Sequence, residues 1–120
     1  MVKALFDTNI LVDFLHGRDE AKAEIERFEA RAISIVTWME VMVGATEANA
    51  AATRAWLAGF ETIGLDQSVA EEAVSLRRAH RLGLPDAIVW ASARRQGALL
   101  VTRDARGFPA DDPGLRMPYE

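Results

Sequence analysis

Short apolar runs that alternate with longer helical stretches constrain this chain more than any other feature. Val2-Lys3-Ala4-Leu5-Phe6, Ala32-Ile33-Ser34-Ile35-Val36, Thr62-Ile63-Gly64-Leu65 and Ala98-Leu99-Leu100-Val101-Thr102 read as strands. Ile10, Leu11, Phe14 and Leu15 follow the first run at helical spacing, and Gly17 closes that helix. Glu20 to Ala30 is a charged surface helix with Ile25 and Phe28 inside. Further helices are expected from Thr37 to about Glu47, from about Ala50 to Phe60, and from Asp66 to about Leu82, the last with a Ser68-x-x-Glu71 capping box. Pro85 opens one more, which Gly97 ends, and a Gly/Pro-rich tail follows Asp104. Alternation of this kind predicts α/β layering, with a parallel sheet covered on both faces.

The chain of 120 residues is the size of one domain, expected over 1–120, with no repeat or linker. It has no cysteine, which excludes disulfides, thiolate zinc sites and cysteine nucleophiles. The apolar run at the N-terminus is too short for a signal peptide, and no segment approaches the roughly 20 apolar residues of a membrane helix. A soluble cytoplasmic protein without a membrane partner is expected. The net charge of −4 gives no global attraction to nucleic acid, so such binding must come from local basic residues or a bound metal.

In parallel sheets, ligand sites form beyond the carboxyl ends of the strands. Asp7 directly follows the first strand, and Asp104 follows the last by two residues. Glu40 is expected in the first turn after the second strand, and Asp86 in the first turn that Pro85 opens. All four can therefore converge at one edge. Each also has a local alternative. Asp7 can cap a helix, Thr37-x-x-Glu40 is a formal capping box, Asp86 suits a helix dipole, and Asp104-x-x-Gly107 can be an ordinary turn. Clustered carboxylates repel: a pair about 4 Å apart costs around 4 kcal/mol at an effective dielectric near 20. A divalent cation removes that cost, and an all-oxygen set suits Mg²⁺ or Mn²⁺. A metal so held supports hydrolysis of a phosphate ester, and one of the acids can take the proton of the attacking water.

Asp7-Thr8-Asn9-Ile10-Leu11, Glu40 in a helix after a strand, Leu84-Pro85-Asp86-Ala87 and Leu100-Val101-Thr102-Arg103-Asp104-x-x-x-Phe108, in that order, resemble the PIN domain. The closer likeness is to VapC-type toxins of bacterial type II toxin–antitoxin systems, over essentially the whole chain. The resemblance implies a three-layer α/β/α fold with a mainly parallel sheet and a Mg²⁺- or Mn²⁺-dependent endoribonuclease. It places the principal metal ligands at Asp7 and Asp86, the other two acidic positions at Glu40 and Asp104, and supporting polar groups at Asn9 and Thr102. It also implies a homodimer, a cognate antitoxin in a hetero-oligomer, and promoter DNA bound only through that antitoxin.

Arg103 and Arg106 flank Asp104 and are candidates for RNA phosphate contacts. Arg77, Arg78 and Arg81 read as a solvated helix surface, and His16 and His80 as structural. Trp38, Met39, Val41, Met42 and Val43 leave their helix apolar nearly all round, so it is either core or a surface for a partner. A DNA nuclease or a phosphatase on the same architecture is the alternative. An aspartyl-phosphate phosphatase wants an acid where Asn9 stands, and a receiver-like module wants a late lysine, whereas the only lysines are Lys3 and Lys22.

Overall fold

The structure is a computed structural model that describes residues 1–120. Along the chain run β1 (Lys3–Phe6), α1 (Thr8–Leu15), α2 (Asp19–Glu26), β2 (Ala30–Ser34), α3 (Ile35–Val43), α4 (Ala50–Leu57), β3 (Glu61–Ile63), α5 (Gln67–Ala79), α6 (Leu84–Arg95), β4 (Leu99–Val101) and β5 (Leu115–Arg116). The five strands form one sheet in the order β3-β2-β1-β4-β5. Every pairing is parallel; Leu5 stands opposite Ala32 on one side and Leu100 on the other.

The two-residue period of a strand divides the core between the faces. Leu5, Ala32 and Leu100 point to one face, where Val69, Ala73 and Leu76 of α5 and Trp90 of α6 cover them. Ala4, Phe6, Ile33 and Val101 point to the other, against Ile10 and Leu11 of α1, Ile25 of α2, Val41 of α3 and Leu57 of α4. Three layers result. Fully burying one such large side chain contributes about 1.5–3 kcal/mol. Phe6 meets Phe28 and Phe60 edge-on at 6.0 and 6.1 Å. No helix is long and apolar enough to cross a membrane.

Several expected boundaries move. The second strand begins and ends earlier than the apolar run. The Ser34 hydroxyl accepts from the Val36 amide at 3.1 Å, and this cap turns Ile35 and Val36 into helix despite their β-branched side chains. Thr37 is consequently interior to α3 rather than its cap, and Glu40 lies in the second turn, not the first. Gly44 ends α3 before Glu47. The cap of α5 is Asp66, whose carboxylate accepts from the Val69 amide at 2.8 Å, and not the Ser68–Glu71 box. Phe28 is buried, but α2 stops before it. The tail carries a fifth strand that was not expected.

The two readings of α3 divide between its faces. Val36 and Val41 are core, whereas Met39 is 48% exposed and Val43 86% exposed. Gly17 does close α1, in the left-handed region at φ 82°.

Candidate active site

Successive strands run outward from β1 to β3 on one side and from β4 to β5 on the other. The order reverses between β1 and β4, and the crevice beyond their carboxyl ends is where such sheets bind ligands. Asp7 stands there as the N-cap of α1. Its amide donates to the Val101 carbonyl at 2.9 Å. Its Oδ1 accepts from the Thr8 amide at 2.8 Å, and its Oδ2 from the Thr102 hydroxyl at 2.9 Å. The local capping role and the site role thus fall on the same carboxylate.

Asp7 is buried. Burial pushes its pKa up to about 6; the Thr102 and Thr8 hydrogen bonds oppose the rise, and the charges of Asp86 and Glu40 add to it. Asp86, in the first turn of α6, is also raised, by desolvation first and then by Glu40 and Asp104. No side chain donates to or pairs with its carboxylate, and only the N-terminal end of α6 favours its charge. Asp86 is therefore electrostatically coupled to the other three expected acids, and Asp7 to Glu40 as well.

Thr102 is fully buried and serves as a hub. While it donates to Asp7, its Oγ1 accepts from Asn9 Nδ2 at 3.1 Å and from the Asp104 amide at 3.2 Å. Asn9 Oδ1 in turn accepts from the Arg103 amide at 3.0 Å. The first turn of α1 is thereby tied to the loop after β4.

Glu40 and Asp104 have partners. Thr8 Oγ1 donates to Glu40 Oε1 at 2.6 Å and lies 3.0 Å from Thr37 Oγ1. Asp104 is gripped in a bidentate manner by Arg106, from Nε at 2.9 Å and from Nη2 at 2.6 Å. That grip brings the Asp104 pKa down to about 2. Arg103 is engaged as well: its Nε lies 2.6 Å from Asp13, which also accepts from Tyr119 at 2.9 Å. Burial would raise Asp13, but the Arg103 and Tyr119 hydrogen bonds hold it below its usual range. Both arginines expected to meet phosphate are thus paired with carboxylates.

Sequence reasoning assigned no role to Thr8, Asp13 or Tyr119, and gave Thr37 only that of a helix cap. Thr8 sits within the quoted Asp-Thr-Asn run, so a signal existed there. Asp13 meets Arg103 across 90 positions, and no local pattern marks that pair. His16 caps α1 at an exposed position, and His80 packs on Trp90 with ring centroids 5.1 Å apart. His80 lies outside the site, whereas His16 lines a cavity of about 230 Å³ that Glu40 also lines.

A hard cation suits the donor chemistry here: the donors are oxygens, and Asp7 and Asp86 carry charge that no lysine or arginine neutralises. As the side chains stand, no three His, Asp or Glu groups enclose a common position. Glu40 is turned to Thr8, and Asp104 to Arg106.

Known proteins resemble the chain over almost its whole length. A chain of a toxin–antitoxin complex from Klebsiella pneumoniae is 47% identical, with 98% of this chain and 99% of that chain covered and a TM-score of 0.93. DNA-bound VapBC from Salmonella typhimurium is 23% identical over 100% of this chain and 98% of that one, with a TM-score of 0.78. FitAcB from Neisseria gonorrhoeae is 20% identical over 96% and 97%, with a TM-score of 0.80. The last two speak to the fold alone. No curated protein sequence matches the chain. The PIN-domain family model matches residues 4–110. That match runs from within β1 to beyond Asp104 and takes in all four acids, and on that ground the chain belongs to the PIN-domain family.

Proposed function

We propose that this PIN-domain protein is the toxin of a VapC-type toxin–antitoxin pair, a Mg²⁺- or Mn²⁺-dependent endoribonuclease whose functional unit is the whole 1–120 domain. The observation that carries the reading is the placement of two carboxylates without a cationic partner, Asp7 at the end of β1 and Asp86 in the first turn of α6, at the reversal point of the sheet. The 47% identity to a chain of a toxin–antitoxin complex supports the biological setting. A cognate antitoxin is the expected partner, in a hetero-oligomer built on a toxin homodimer. Promoter DNA is reached through the antitoxin, by analogy with the DNA-bound VapBC assembly. The cytoplasm is the expected compartment.

Asp7 and Asp86 would hold the ion, with Glu40 and Asp104 completing the acidic set. When bound, the ion lowers the pKa of a water and offsets charge on the phosphate. Asp7 is oriented for this by Thr8 and Thr102, which leave each oxygen a free lone pair. Asn9 supports the geometry through Thr102. Glu40, held toward the crevice by Thr8, is placed to take a proton from the attacking water. Asn9 spends its amide on Thr102 and the Arg103 backbone, which disfavours the phosphatase alternative.

The test is cleavage of an RNA pool by purified protein freed of any partner. Cleavage should require Mg²⁺ or Mn²⁺, stop on chelation, and fall to background in Asp7→Asn and Asp86→Asn. A wild type that cuts no RNA with either ion sinks the proposal. Preferential cutting of DNA would favour the DNA-nuclease alternative.

A further inference from the structure

The chain carries fourteen lysines and arginines. Lys3, Arg18, Lys22, Arg27, Arg94, Arg103, Arg106 and Arg116 all lie in ion pairs with carboxylates. Of the rest, Arg31 donates to the Phe28 carbonyl and Arg54 lies over the Trp38 ring. Three of the others, Arg77, Arg78 and Arg81, fall within five residues at the end of α5, all exposed and none ion-paired. The acids of α5, Glu71 and Glu72, are confined to its first half, so the helix is polarised in charge toward this end.

That end lies beside the acidic site. Arg81 and Leu82 lead through Gly83 into α6, whose first turn carries Asp86. Across the chain, the turn after Asp104 packs on the same segment: a Cβ on Gly107 would stand 2.9 Å from Leu82 Cδ2 and 3.1 Å from the Arg81 carbonyl. The segments that carry Asp86 and Asp104 are therefore joined through Arg81 and Gly107, by chain connection on one side and by packing on the other. Beside this junction, Arg77, Arg78 and Arg81 line an open depression of about 630 Å³, together with His80, Leu82 and Gly83.

We infer that Arg77, Arg78 and Arg81 form a phosphate-tracking surface that holds the single-stranded RNA beyond the scissile bond, an inference that rests on the ribonuclease reading above. Arg103 and Arg106 lie closer in sequence to the acids but are already neutralised by Asp13 and Asp104. A polyanion approaching a chain of net charge −4 needs a local cationic foothold. The cluster supplies one at the edge of the site, where backbone contacts fix register without reading sequence. Favourable placement of cations near a helix C-terminus accounts for Arg77 and Arg78 on α5. It does not account for Arg81, which lies beyond the helix in the connecting turn.

The experiment measures binding of a fluorescent single-stranded oligoribonucleotide against salt, in the Asp7→Asn background so that the probe survives. The triple variant Arg77→Ser, Arg78→Ser, Arg81→Ser should lower the slope of log K against log salt by about 2, at about 0.7 per lost phosphate contact. Its affinity at low salt should drop at least about tenfold. The corresponding triple lysine variant should retain the slope. The Mn²⁺ affinity of the serine triple in the otherwise wild-type chain, measured calorimetrically, should stay unchanged, which shows that the fold and the acids are intact. An unchanged slope in the serine triple overturns the inference, even where the wild type cuts RNA. So does release of an acidic peptide, rather than of RNA, by the serine triple, because the surface would then serve a protein partner. The ribonuclease reading fails separately, through absence of metal-dependent cleavage in the wild type.

Discussion

Replacing Asp7 by asparagine should abolish activity and, at the same time, make the metal-free protein more stable. The pKa of Asp7 rises from 3.8 to about 6 on folding. Each tenfold change in proton affinity corresponds to about 1.4 kcal/mol. Keeping Asp7 ionised at pH 7 therefore costs the fold about 3 kcal/mol, and asparagine carries no charge to keep. One local hydrogen bond is lost in the exchange. Oδ1 still accepts from Thr8, and the Thr102 hydroxyl can turn its proton to the Asp104 carbonyl, 3.2 Å away, but its oxygen already accepts from Asn9 and the Asp104 amide, so the new amide displaces one of these donors at a cost of about 1 kcal/mol.

The sign follows from linkage. Because the folded pKa is raised, the folded state keeps a proton that the unfolded chain has lost between about pH 4 and pH 6. The penalty is absent below about pH 4, grows through that window, and is complete above about pH 6. Asp86 acts in the same direction and Asp104, whose pKa is lowered, in the opposite one, so the quantity to measure is the difference between variant and wild type. Denaturant titrations in chelator should show Asp7→Asn more stable by about 2 kcal/mol at pH 7, the charge penalty less the lost hydrogen bond, or about 8 °C in Tm at roughly 4 °C per kcal/mol for a chain of this size. The gain should vanish near pH 4. Mn²⁺ at a hundred times its Kd should stabilise the wild type by about 2.7 kcal/mol and leave the variant unmoved. An asparagine variant no more stable than wild type at pH 7, or a gain independent of pH, would refute the reasoning.

Other perturbations probe the scaffold around the acids. Arg116→Ala should destabilise the fold by about 2 kcal/mol, because it leaves the buried carboxylate of Glu24, to which Arg116 Nη2 donates at 3.0 Å, with only the longer contact to Arg27 at 3.7 Å; urea titration measures this. Gly107→Ala should cost about 1–3 kcal/mol by the same assay, since φ is +87° and the new Cβ meets Leu82 and the Arg81 carbonyl. Thr102→Val should cost about 2 kcal/mol through unsatisfied Asn9 and Asp104 donors, and should push the Asp7 pKa further up. Its apparent Mn²⁺ affinity at pH 6 should consequently fall more than at pH 8, a contrast that calorimetry at the two values reads directly.

What the sequence disclosed and what it concealed divide along physical lines. Runs such as Ala4-Leu5-Phe6 and Leu99-Leu100-Val101 are legible because a central parallel strand is buried on both faces and so must be apolar throughout. The acids could be placed because strand, loop and helix follow one another within a few residues: Asp7 sits directly between β1 and α1, whatever else the chain does. Ile35 and Val36 read as strand but fold as helix because the capping hydroxyl of Ser34 outweighs their β preference, and propensity is the weaker term. Strand β5 has two residues and no periodicity to read. It exists because Gly114 and Arg116 carbonyls accept from Leu100 and Thr102 at 2.8 and 3.0 Å, contacts that only the folded sheet defines. The same holds for the pairing of Arg103 with Asp13.

This division bears on where the molecule places its frustration. Every fully buried polar side-chain atom has a partner, including those of Ser34, Thr37, Ser92 and Thr102. Asp7 and Asp86, by contrast, are held in a charged state that their surroundings oppose. A sequence under selection for stability alone would place an asparagine or serine at the N-cap of α1, where either satisfies the free amide without the charge. Retaining an aspartate at that cap lowers the stability of the metal-free fold, and the cost falls on the one edge of the sheet where a cation can recover it. The Asp7→Asn measurement is accordingly also a test of function: a stabilised but Mn²⁺-blind variant identifies the charge as kept for a ligand, whereas a destabilised one would assign Asp7 to capping and nothing more.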